Sequence, residues 1–215
     1  MAKLPEQICK KIIAMENRDL TLPQTLSERG ELENCGYHPR IEKLHLSNAA
    51  ELEKIIEKYG FPNLKNSDQM VLTAAWRIVQ HAISNPRFML KCNELFKEYA
   101  FDEIPLKERA YLSDRIAFYQ RRPQRYGTQF DYNQNGEMAV WWLEEPENVD
   151  SLRLQAGLPP LATVAEKFKA YPRKSADEAR EMAAMQERWL VATGWCSEQD
   201  IKNYYEFHAE KRQQG

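Results

Sequence analysis

His81, Asp114 and the run PQRYGTQFDY at 123–132 are the parts of this chain best suited to chemistry. An imidazole titrates near ~6.5, so it can take or give a proton at neutral pH. His81 lies beside the apolar face of a helical repeat, one turn after Arg77 and two after Ala74, whose small side chain leaves room for the ring. Asp114 falls by helical spacing among Ala110, Tyr111, Ala117 and Phe118, the face a bundle would bury. A carboxylate there needs compensation: an imidazole to orient, an arginine to pair with, or a backbone segment to cap. Its neighbour Arg115 projects about 100° away around the helix and suits an anionic group. The polar run comes next, with Gln124, Tyr126, Thr128 and Gln129 set around Gly127. Two amides, a hydroxyl, a phenol and a permissive glycine make either the wall of a binding site or a turn that satisfies itself. We read it as a site wall. The plainer alternatives for His81 and Asp114 are a core-edge histidine and a buried salt bridge.

Helices must carry these groups. LSNAAELEKIIEKYG predicts one, capped at Ser47 or Asn48 and stopped by Gly60 and Pro62. NSDQMVLTAAWRIVQHAIS predicts a second, capped at Asn66 or Ser67, with Val71, Leu72, Ala75, Ile78, Val79 and Ala82 on a broad apolar face. RFMLKCNELFKEYA and LKERAYLSDRIAFYQRR predict a third and a fourth, the latter ending near Pro123. GTQFDY and EMAVWWLEE flank NQNG, whose Asn-Gly pair favours a tight reversal, and predict a hairpin near 128–143. Helices resume in PENVDSLRLQAG and ATVAEKFKAY. Ser175 and Glu178 form a capping box ahead of EAREMAAMQERWLVATG, and Ser197 begins a last helix. The expected fold is mainly α, a helical bundle with one small β-hairpin over 1–172. Residues 173–215 form a C-terminal helical hairpin, packed on the bundle or joining two copies as a homodimer.

Thirty basic residues against 32 acidic ones give a formal charge of −2 with no long block of either sign, so no nucleic-acid partner is expected. No run approaches the ~20 apolar residues of a membrane span. LPEQICKKIIAMENRDL is broken by Lys10, Lys11 and Glu16 and makes no signal peptide. A cytoplasmic location without membrane contact is expected, with export lacking a cleavable signal as the alternative. Cys9, Cys35, Cys92 and Cys196 form no CxxC pair and are expected to be reduced and mostly buried. His38 and His45 straddle Pro39 at a spacing that defines no metal geometry, and HExxH and HxH patterns are missing, so neither metal nor cofactor is expected. GxSxG and glycine-rich phosphate loops are also missing.

QHA at 80–82, YLSDRI at 111–116 and QRYGTQ at 124–129, in that order, resemble the signature of a large bacterial domain family of uncharacterised function. Its motifs are Q-H, L-x-D-R and Q-x-Y-G-T-Q. GYHPRIEKLHLSNAAELEKIIEKYGFP and VDSLRLQAGLPPL are also similar to it, so the resemblance runs from roughly 30 to 165 and leaves the tail beyond Tyr171 outside. Residue by residue, it implies a site of Gln80, His81, Asp114, Arg115, Gln124, Tyr126, Thr128 and Gln129, with His45, Asn48 and Arg153 behind them. The expected function is a hydrolase or transferase of a small polar or nucleotide-like molecule. His81 would be the general base or acid, Asp114 would orient or compensate charge, and Arg115 would hold an anion. Gln80, Gln124, Tyr126, Thr128 and Gln129 would bind the substrate. The alternative is a non-catalytic binding or regulatory protein of the immunity or effector kind. The motif would then be a structural polar network, and Trp141, Trp142, Trp189, Trp195, Tyr204 and Tyr205 would supply partner contacts.

Overall fold

The computed structural model describes residues 2–32 and 37–213. Among them are nine helices and one two-stranded hairpin, so the mainly helical class expected is the one that forms. The chain divides into two compact units, Met1–Pro105 and Leu106–Gly215. The division falls inside the stretch expected as a main domain, and the C-terminal helices belong to the second unit.

The first unit holds α1 (Glu6–Glu28), α2 (Pro39–Tyr59), α3 (Gln69–His81) and α4 (Pro86–Lys97). Helix α1, for which the sequence reading makes no assignment, buries Ile12, Met15, Glu16, Asp19 and Leu26 on one stripe. It packs on α2 and α3, and α3 packs on α2 and α4. Pro23 lies inside α1 and has no N–H for the carbonyl of Asp19, four residues earlier. Helix α2 begins earlier than expected, because Pro39 pre-sets the first turn and the His38 ring accepts the N–H of Arg40. Ser47 and Asn48 therefore fall inside the helix, and Asn48 is buried there. Helix α3 is capped by Asp68, which accepts the N–H of Val71, and not by Asn66 or Ser67. Asn66 instead braces the preceding loop: with Asn63 it bonds loop N–H groups and the carbonyl of Phe61. Phe61 meets Phe96 edge-on at 4.7 Å in the core below.

The second unit holds α5 (Leu106–Tyr119), the antiparallel strands β1 (Phe130–Tyr132) and β2 (Met138–Val140), and four further helices: α6 (Val149–Gln155), α7 (Leu161–Phe168), α8 (Ala176–Thr193) and α9 (Glu198–Gln213). Phe130 pairs with Val140 and Tyr132 with Met138. At the reversal Asn133 accepts the N–H groups of Asn135 and Glu137, and Gly136 takes φ +74°. The capping box of Ser175 and Glu178 opens α8 as expected. The aromatic residues weighed as partner contacts serve mainly as internal packing. Trp141 stacks on Tyr204 at 4.8 Å, meets Phe118 edge-on and carries the Arg121 guanidinium over its ring. Trp142 packs on Phe207, and Tyr119 on Trp189 and Trp195. No helix among the described residues is long and apolar enough to cross a membrane. Cys9, Cys92 and Cys196 are free thiols, and Cys35 lies outside the described residues.

Candidate functional site

The candidate residues fall into two groups, one in each unit. In the first unit His81 ends α3 and meets two residues of other helices: His45 from the middle of α2 and Asp19 from α1. One ligand atom from each lies within 4.8 Å of the others. The His81 Nδ1 is 3.6 Å from Asp19 Oδ2, and the His45 Nε2 is 3.9 Å from Asp19 Oδ1. These separations are too long for hydrogen bonds. The two imidazoles stack at 4.9 Å. Asp19 and His45 are buried, at 1% and 7% exposure, whereas the His81 side chain keeps 28%. Asp19 Oδ2, His45 Nε2 and His81 Nδ1 are all buried without a hydrogen-bond partner.

Neighbours orient this cluster. Asn48 donates to Asp19 Oδ1 at 2.5 Å and to the carbonyl of Met15, and Arg18 reaches the Asn48 amide oxygen. The Tyr37 hydroxyl lies 2.5 Å from His45 Nδ1 and donates to the carbonyl of His81. A phenol has one proton, and that carbonyl can only accept, so the short contact is His45 Nδ1–H donating to the phenol oxygen. This pattern assigns the Nδ1–H tautomer and leaves Nε2 as a bare lone pair aimed at Asp19. Burial holds the His45 pKa down, to about 4, against the opposing pull of the Asp19 carboxylate. The ring is therefore neutral at pH 7. Gln80 is also buried on α3, at 3% exposure.

In the second unit the polar run wraps over the end of α5. Asp114, 1% exposed, accepts the backbone N–H groups of Arg125, Tyr126 and Thr128 at 2.9–3.2 Å. Of the three kinds of compensation expected for it, the backbone segment is the one it finds. Burial pushes its carboxyl above the usual range, with those N–H bonds pulling the other way. Gln124, with no exposure at all, donates to the carbonyls of Gln129 and Trp141 and accepts the N–H of Gln129. Arg153 clamps the far side by donating to the carbonyls of Tyr126, Gly127 and Pro159. Gly127 takes φ +64°, a conformation strained for any side chain, and a Cβ there would press on Leu161 and Leu143 at 3.2 and 3.3 Å. The run is thus held from within by Asp114, Gln124 and Arg153. The side chains of Tyr126, Thr128 and Gln129 stay half-buried, with Gln129 bonded to the Thr128 hydroxyl. Arg115 is half-buried on α5.

Two features escaped the sequence reading. Asp19 recurs with Ile12, Met15 and Leu26 at helical spacing, the same signal that singled out Asp114. His38, paired with His45 in the search for metal ligands, caps α2 instead, and the fold supplies Asp19 and His81 in its place. The second feature is a cleft of about 1130 Å³ in the second unit, lined by Arg121, Asp131, Trp141, Glu187, Tyr204 and His208 among others. Burial raises the Asp131 carboxyl there.

No curated protein and no solved structure matches the chain significantly. A family model does match, that of DUF6624, described as a family of unknown function, over residues 6–173. The match takes in α1 to α7 together with both polar groups, and by this extent the chain belongs to the DUF6624 family.

Proposed function

We propose that the chain is a hydrolase or transferase whose chemical centre is the Asp19–His45–His81 cluster. The observation that carries this reading is the convergence of three buried polar atoms without hydrogen-bond partners. Each such atom costs folding about 1–3 kcal/mol, and groups held at that cost collect at functional sites. His81, the member that reaches solvent, takes a proton from water or a substrate hydroxyl, and Asp19 compensates the charge that develops. Only the His81 side chain of the three keeps appreciable exposure, at 28%, which favours a small polar substrate.

The test compares wild type with Asp19→Asn and His81→Ala on a panel of phosphate esters, carboxylic esters, amides and nucleotides. Turnover should fall by about 100-fold or more in each variant with the circular dichroism spectrum unchanged. Full turnover in both folded variants refutes the assignment.

The cleft of the second unit supports a second reading, a non-catalytic binding module. Its buried Arg121 and stacked Trp141 and Tyr204 suit a planar or anionic ligand. Saturable quenching of tryptophan fluorescence by such a ligand, lost in Arg121→Met, checks it.

A further inference from the structure

We infer that Asp19, His45 and His81 hold one divalent first-row transition-metal ion of the zinc class. This deepens the hydrolase reading. It rests on that reading for what the ion does, but not for its presence.

Two nitrogens and one carboxylate oxygen, each buried and without a hydrogen bond, point at one another from three helices. The hydrogen bonding of Tyr37 leaves His45 Nε2 a bare lone pair facing a carboxylate. Two electron-rich atoms facing each other without a proton between them repel, and a cation between them turns that repulsion into coordination. The ligand set agrees: two imidazoles and one carboxylate, with a fourth position left open, is the donor pattern of catalytic zinc sites. Bond lengths of about 2.0–2.1 Å place tetrahedral ligand atoms about 3.3 Å apart. The 3.6 Å between His81 Nδ1 and Asp19 Oδ2 needs only a few tenths of an ångström of closure, and one ligand atom from each of the three residues lies within 4.8 Å of the others.

The surroundings are those a bound metal uses. Asn48 fixes one carboxylate oxygen and leaves Oδ2 to the centre, and Tyr37 fixes the His45 ring through its other nitrogen. The exposed edge of His81 gives the ion and a water molecule a way in. With its Nδ1 lone pair on the ion, His81 would be a ligand and no longer the base; a water held at the open position would lose its proton near neutral pH and supply the nucleophile of a hydrolysis instead.

The experiment is titration of chelator-treated, dialysed full-length protein with Zn²⁺ and with Co²⁺, followed by calorimetry and by the visible spectrum of cobalt. One equivalent should bind, with the cobalt bands of a four- or five-coordinate site. Asp19→Asn, His45→Ala and His81→Ala should each weaken binding by more than about 100-fold, and Tyr37→Phe, which keeps all three ligands, by about 10-fold. His38→Ala should leave binding unchanged. Absence of binding at millimolar ion, or equal binding by His45→Ala and His81→Ala, overturns the proposal. Should any of these variants fail to fold, Tyr37→Phe and the coordination seen by cobalt still decide it. The two readings also separate. Turnover that survives chelation removes the ion and keeps the enzyme, whereas a bound ion in a protein without turnover keeps the ion and removes the enzyme.

Discussion

Replacing Asp114 tests whether its charge serves the fold. The carboxylate accepts three backbone N–H groups from a loop eleven to fourteen residues later. Alanine removes every acceptor at once. Each orphaned donor costs about 1–3 kcal/mol, and because Arg125 is exposed and Tyr126 and Thr128 are half-buried, water can re-pair part of the loss. The low end applies, about 3–4 kcal/mol in all. Asparagine keeps one acceptor oxygen and turns an N–H₂ group toward a donor, but it also escapes the burial penalty that pushes this carboxyl upward. Its cost should be smaller, about 1–2 kcal/mol. Four of the five tryptophans, Trp141, Trp142, Trp189 and Trp195, lie in the same unit as Asp114, so fluorescence follows that unit. With a urea slope of about 2 kcal/mol per molar, the midpoint should fall by about 2 M for Asp114→Ala and by less than about 1 M for Asp114→Asn. A midpoint for Asp114→Ala within about 0.25 M of wild type would show that the loop does not depend on this carboxylate.

Other perturbations probe the rest of the molecule. A Cβ on Gly136 would stand 1.9 Å from the Lys174 carbonyl oxygen at φ +74°, so Gly136→Ala should cost about 2–4 kcal/mol, and an unchanged fluorescence melt would contradict this. Arg153→Lys cannot reach the carbonyls of Tyr126, Gly127 and Pro159 together; a loss of about 2 kcal/mol in urea denaturation is expected. Burial pushes the Cys92 thiol far up, so iodoacetamide should label it only as fast as the protein opens, and mass spectrometry showing rapid native labelling would refute that. Between pH 6.5 and about 4 the unfolded chain holds a proton on His45 that the folded ring refuses. Stability of the metal-free protein should therefore be fully present above pH 6.5 and be lost toward pH 4. At about 1.4 kcal/mol per pH unit the whole interval is worth about 3 kcal/mol. Asp19 on α1 opposes this shift and His81 on α3 reinforces it. His45→Gln should lose that part of the pH dependence of the urea midpoint, and an identical pH profile counts against the assignment.

The helical class, the hairpin and the capping box could be read from the sequence, because periodicity, an Asn-Gly pair and a Ser-Glu pair report local energetics. Asp114 could also be read, since a carboxylate on an apolar stripe announces a partner. What could not be read was which partner. Gln124 offers the same donors and acceptor to a ligand as to a carbonyl, and only the folded chain shows it spent on Gln129 and Trp141. The Asp19–His45–His81 cluster escaped for a different reason. Its members lie on three helices far apart in sequence, so no spacing rule joins them, and Asn48 looked like a cap because a buried amide in mid-helix has no local signature.

The stack of Tyr204 on Trp141 sets a practical boundary. The family match stops at 173, yet the face of Trp141 is covered from α9, and the buried Arg121 is held by Gln186 of α8. A truncation placed at the family boundary would leave an indole face and an unpaired guanidinium in water. Such a fragment should self-associate on purification, and any study of the family segment in this protein has to keep the residues that follow it.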